Sequence, residues 1–207
     1  MTRNSQQAFS LIEMSILIAV LGIFAVAILT QLPTKKEYEE IITVDKKIKA
    51  INTALDIYIS NNNYLPCPAN GDIAPSDANF GVSTDCTIAP TSGVVDIDDV
   101  NGSATDDDVR IGVLPIKELG LKANMMFDEW GNRFTYMVHK DLTNAANYAA
   151  YPASSNGGII VQDGAAAQLN SGAVPYLVMS HGKDGRGAYT KAGVYNCLLY
   201  TSDAADE

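Results

Sequence analysis

Glu13 stands directly before Met14 to Thr34, a run that carries no charged side chain. A charge deep in a bilayer costs about 2.5–3.5 kcal/mol, so a carboxylate there either lies in water at headgroup depth or meets a cation. A second set of candidate groups is the acidic run Asp96, Asp98, Asp99, Asp106, Asp107 and Asp108. Such carboxylates suggest calcium. Val100 and Asn101, however, take the fifth and sixth places of an EF-hand loop, where an oxygen ligand and a glycine are needed. A solvated acidic loop is the preferred reading. Ser180, His181 and Asp184 supply the residue types of a hydrolytic triad, yet adjacent residues on a strand point to opposite faces. Gly-x-Ser-x-Gly, Cys-x-x-Cys and His-Glu-x-x-His patterns are missing, and the glycine-rich loop from Gly182 lacks phosphate-loop spacing. No enzymatic activity is expected.

Composition narrows the classes further. The 207 residues include 14 basic and 24 acidic side chains, for a net charge of −10. That balance argues against a protein that coats nucleic acid. A hydrophobic share of 47% supports a real core and excludes wholesale disorder. Ten Tyr and sixteen Gly against one Trp suggest a β-rich body with many turns. Two histidines, His139 and His181, leave little for a His-rich metal site. Three cysteines are too few for a disulfide scaffold.

The elements that must position these groups fall in sequence order. Met14 to Thr34 lacks the polar stripe of a soluble amphipathic helix and is long enough to span a bilayer. The competing readings are a buried core helix and a secretory signal cut near Ala25-Val26-Ala27. Glu13 speaks against the second, because a positive segment is expected there. From Ile41 the apolar positions Val44, Ile48, Ile51, Leu55 and Tyr58 recur at steps of three and four, one face of a helix. The expected use of that face is packing against a sheet. Pro33 predicts a kink or local melting where the apolar run meets this helix. Asn61-Asn62-Asn63 ends the helix, and Pro66 and Pro68 forbid its continuation. One continuous helix from Phe9 to Asn62 would be about 80 Å long.

Residues 63–110 read as a long irregular segment, and 111–196 as strand-like. Gly112 to Leu121 suggests a helical turn closed by Gly120. Trp130-Gly131-Asn132 reads as a turn, followed by a strand over Arg133–Val138. Further strands are expected at Gly157–Gln162 and Val174–Ser180, and Gly182–Gly187 as a turn-rich loop. Antiparallel strands covering an amphipathic helix give a stable α+β body.

The start of the chain resembles the type IV prepilin signal: a short polar leader, a small residue, then Phe9-Ser10-Leu11-Ile12-Glu13 opening the apolar helix. Later segments are similar to type II secretion pseudopilins. These are LDIYISNNNYLP, then DEWGNRFTY (with Glu129 and Arg133 where that motif has prolines), and LVMSHGKDGRGAY. The resemblance implies a type IV pilin-like fold, a long N-terminal helix on a small antiparallel sheet. It implies a leader at 1–8, cleavage by prepilin peptidase between Ala8 and Phe9, and methylation of the Phe9 amine. Ala8 departs from the usual glycine. Residues 9–34 would be the transmembrane and assembly half of the helix and 35–62 the amphipathic half. Glu13 would meet the N-terminal amine of a neighbouring copy, since in lipid each charge lacks a partner until a second subunit brings it. Copies of itself, minor pilins or pseudopilins and an inner-membrane assembly platform are the implied partners. The implied place is the bacterial inner membrane, with the body in the periplasm or in an extracellular filament. Taken alone, Arg3 against Lys35, Lys36, Lys46, Lys47 and Lys49 would put the body in the cytoplasm. In an exported protein Cys67 and Cys86 would pair, closing a loop worth roughly 3 kcal/mol; two free thiols are the alternative. The pseudopilin loop after the last strand helps hold a structural calcium in that family, and Asp184 is the one matching side chain here. The other functions to weigh are a minor type IV pilin that binds a surface or DNA through Pro66–Arg110, and a membrane-anchored exported domain that never assembles. The net charge disfavours a grip on nucleic acid.

Cys197 to Glu207 resembles the translation of a sequencing adapter, beginning Cys-Leu-Leu-Tyr-Thr-Ser. Without the leader and this tail, residues 9–196 carry 13 basic and 21 acidic side chains, net −8. The Cys count then becomes an even pair.

Overall fold

A computed structural model describes residues 11–29, 32–90, 92–97, 109–150, 159–162, 165, 167, 169 and 174–196. The chain divides into two compact units, Met1–Ile42 and Thr43–Glu207.

In the first unit, helix α1 runs over Leu11–Leu29. Over 11–23 its apolar side chains are uncovered: Leu11 is 92% and Ile23 72% exposed. A helix with no polar stripe has no preferred inward face, so a single sheet could not bury it. Helix α2 follows over Leu32–Asn62 and crosses into the second unit. Pro33 lies in its first turn, where a missing N–H costs no helical bond. Among the described residues no helix is long and apolar enough to cross a membrane. The expected single span over 9–34 takes in residues that the structure does not describe. These are residues 9, 10, 30 and 31.

The second unit holds the core. Val44, Ile51 and Leu55 of α2 are buried, with Ile48 and Ile59 packed beside them. Ile41, expected on the same face, is 52% exposed. The helix ends where Asn63 turns to φ +60° and its N–H reaches the Ile59 carbonyl at 2.8 Å. Four strands then form one antiparallel meander: β1 (Val95–Ile97), β2 (Val109–Val113), β3 (Thr135–His139) and β4 (Tyr176–Met179), in that spatial order. Gly112 stands opposite Tyr136, and Tyr136 opposite Val178. Phe134, Tyr136 and Val138 alternate inward and meet the buried face of α2 in one cluster with Leu65, Phe80, Leu114 and Met126. A short helix α3 (Ala145–Ala150) lies between β3 and β4.

Several expectations shift. The sheet begins inside 63–110: β1 and the first two residues of β2 come from the stretch read as irregular. That stretch is also pinned to the sheet, because Ala69 and Val113 exchange two backbone hydrogen bonds of 2.9 Å. Gly112 permits this approach, since a Cβ there would sit 2.6 Å from the Ala69 carbonyl oxygen. The helical turn does close at Gly120, with the Leu121 N–H on the Ile116 carbonyl at 2.9 Å, but Gly112 and Val113 belong to β2. Around 157–162 only bridge pairing is described: Ile159 pairs with Val174, with N–O distances of 3.2 and 2.7 Å, and residues 157 and 158 lie outside the described set.

Candidate functional site

The N-terminal processing residues Ala8 and Phe9 lie outside the described residues. Glu13 sits in the first turn of α1 and is exposed. An acid in a helix's first turn is favoured by the unpaired N–H groups there.

Cys67 and Cys86 form a disulfide, with Cα atoms 5.9 Å apart across a sequence separation of 19. It staples the start of the 63–110 segment beside the Ala69–Val113 pairing.

Asp96, the first of the acidic run, is committed to cations. The Arg110 guanidinium grips it in a fork, with Nη2 donating to Oδ2 at 2.8 Å and Nε to Oδ1. Arg110 Nη1 and Nη2 also donate to the carbonyls of Asp85 and Ile88 at 3.0 and 2.8 Å. Lys140 Nζ approaches the same carboxylate at 3.4 Å. Arg110 is 1% exposed. Such a bidentate pair, with two further donors on carbonyls, is how a buried charge is tolerated. Asp96 is therefore a structural anion rather than a free calcium ligand. Asp98, Asp99, Asp106, Asp107 and Asp108 lie outside the described residues.

The turn over Asp128–Arg133 is densely bonded. Asp128 Oδ1 accepts from the N–H groups of Trp130 (3.0 Å) and Asn132 (2.8 Å). Its Oδ2 accepts from the Ser180 hydroxyl at 2.8 Å. Asn132 Nδ2 donates to the Gly182 carbonyl at 2.8 Å. Gly185, at φ +60°, leaves room for that amide, since a Cβ there would lie 2.5 Å from Asn132 Oδ1. Glu129 and Arg133, where the resembling motif has prolines, both make tertiary contacts. Glu129 pairs with Lys47 of α2 at 2.6 Å, and Lys47 also donates to the Phe127 carbonyl at 2.9 Å. Arg133 is fully buried. Its backbone N–H, Nε and Nη2 donate to the carbonyls of Tyr189 (2.7 Å), Thr190 (3.0 Å) and Lys191 (3.1 Å). Its guanidinium carbon lies 5.0 Å from the centre of the Phe80 ring, a cation–π contact. Burial pulls the guanidinium below its ordinary value, and the charge of Asp72 opposes that shift.

Ser180, His181 and Asp184 do not act together. Ser180 serves Asp128. His181 Nε2 lies 2.8 Å from the Thr135 hydroxyl, and Nδ1 lies 2.7 Å from the Arg186 carbonyl. Asp184 is exposed on the turn. Sequence reasoning missed Arg133 and Arg110 as anchors. The available signal was a cation at the head of an alternating strand in a chain with 14 basic residues.

The body is thus an α+β unit in which an amphipathic helix lies on an antiparallel meander. Over 71 residues the chain is 32% identical to the type II secretion system core protein G of Pseudomonas aeruginosa, a stretch covering 34% of this chain and 50% of that protein. The chain spans half the length of that curated relative. No protein-family model matches the chain. No solved structure matches it either.

Proposed function

We propose that the protein is a structural subunit of a type IV pilus-like filament, of the type II secretion pseudopilin kind, and not an enzyme. The observation that carries this reading is the 32% identity to type II secretion system core protein G over 71 residues. The prepilin-like start Phe9-Ser10-Leu11-Ile12-Glu13 supports it. The apolar surface of α1 fits the same role. Leu11, Ile16, Ile18, Leu21 and Ile23 stay exposed, and burying them takes lipid or other copies of the helix. On this reading prepilin peptidase removes residues 1–8 at the membrane, Phe9 carries the methylated amine, and Glu13 meets that amine on a neighbouring copy. Residues 9–34 would then sit in the bacterial inner membrane before assembly, with the body in the periplasm. The partners are copies of the chain, minor subunits and an inner-membrane assembly platform.

The adhesive reading of Pro66–Arg110 is less well supported. Ala69, Phe80, Val94, Val109 and Arg110 are all buried, so much of that segment builds the core.

The test is expression with a prepilin peptidase and an assembly system. The wild-type chain is expected to lose residues 1–8 and to show a methylated Phe9 by mass spectrometry. Glu13→Ala is expected to be cleaved but to yield no sheared filaments. Normal filaments from that variant, or an uncut wild-type chain, would sink the proposal.

A further inference from the structure

The pseudopilin resemblance implies a structural calcium in the loop after β4, with Asp184 as its matching side chain. The donors in that loop do not fit one. Calcium needs six to eight oxygen ligands, commonly carbonyls together with carboxylates. The carbonyls that converge here, those of Tyr189, Thr190 and Lys191, are taken by Arg133 at 2.7, 3.0 and 3.1 Å. The nearby Asp128 carboxylate is filled by three donors, from Trp130, Asn132 and Ser180. Asp184 is exposed, and among the described residues no group of three His, Cys, Asp or Glu side chains could hold a metal. A divalent ion beside a buried guanidinium would also meet like charge where screening is poor.

We propose that Arg133 is the internal cation that closes the 180–196 loop, and that this protein orders the loop without a divalent metal. A guanidinium suits the task. It stays charged when buried, and its planar fork offers donors in several directions, which a lysine ammonium cannot match in one plane. Two of those donors reach successive carbonyls, while the face of the group covers Phe80. The Asn132 amide on the Gly182 carbonyl and the Ser180 hydroxyl on Asp128 hold the other end of the same loop. The loop is thereby tied at both ends to one six-residue turn. Filament assembly plays no part in this clamp, so failure of assembly leaves it standing.

The experiment uses the full chain in detergent micelles. Thermal midpoints in excess calcium and in chelator are expected to agree within about 1 °C, since a ligand that does not bind the folded state cannot stabilise it. A larger rise with calcium overturns the proposal. Trypsin, which cuts after Lys183, Arg186 and Lys191, reports loop opening. Arg133→Leu is expected to speed cleavage there roughly 10-fold or more, equally in calcium and in chelator. Cleavage at the wild-type rate overturns it. Should Arg133→Leu not fold, Arg133→Lys keeps the charge but loses the fork, and an intermediate acceleration is expected; a wild-type rate again overturns it. Asp184→Asn is expected to match the wild type under both conditions. Calcium protection of the wild type that disappears in Asp184→Asn would assign the loop to a metal instead.

Discussion

In α1, Leu11, Ile16, Ile18, Leu21 and Ile23 remain exposed, whereas Val44, Ile51 and Leu55 of α2 are buried with Phe134, Tyr136 and Val138. The residue types are alike and the backbone is the same. The difference lies in spacing. The second set recurs at three and four residues, with charges such as Asp45, Lys46 and Lys49 between, so one sheet can cover it. The first set surrounds its helix, and no single surface of its own chain could bury it. A helix of the first kind leaves its apolar surface uncovered, and a helix of the second kind uses it in folding.

That contrast can be broken or sharpened by substitution. Phe134→Ala, at the centre of the body, is expected to cost about 3–5 kcal/mol in a denaturant midpoint. A loss below about 1 kcal/mol would mean that α2 and the sheet do not share one core. Asp96→Ala strips the buried Arg110 of its carboxylate and is expected to cost about 3 kcal/mol, whereas replacing Asp96 and Arg110 together by apolar residues recovers part of it. Reducing the Cys67–Cys86 bridge, or replacing both cysteines by serine, is expected to remove about 3 kcal/mol for a loop of this length. An unchanged midpoint after full reduction would show that the Ala69–Val113 pairing alone holds the segment.

Alkaline pH probes the same core. Burial raises the Tyr136 phenol well above its ordinary 10.0, and Tyr176 and Tyr189 are raised by the same cause. Above that value the unfolded chain releases these protons while the folded chain keeps them. Stability is therefore complete below about pH 10 and falls as the pH rises further. Midpoints measured between about pH 8 and 11 should show the fall, with a smaller slope in Tyr136→Phe. The smallest effect on the body is expected from Ile18→Ala in α1, within about 0.5 kcal/mol. The same variant should weaken assembly, as read by sheared filament yield. A body destabilised as much as by Phe134→Ala would erase the contrast between the two helices.

Periodicity alone placed the buried face of α2, and the strand alternation around Phe134 and Tyr136 put β3 within two residues of its observed bounds. Local chemistry also marked the Asn63 stop, the Gly120 closure and the turn at Trp130-Gly131-Asn132. These features depend on residues close in sequence, so a short window contains their cause. The short strand β1 was invisible. Three residues beside an acidic run carry no alternation of their own, and only pairing with β2 makes them a strand. The roles of Arg110, Arg133 and Lys47 were equally hidden. Each acts across a long sequence separation, on Asp96, on the carbonyls of Thr190 and Lys191, and on Glu129. A charged side chain in the sequence shows only that a partner is needed. Which partner, and whether the pair is buried, is decided when the sheet brings distant segments within hydrogen-bond reach.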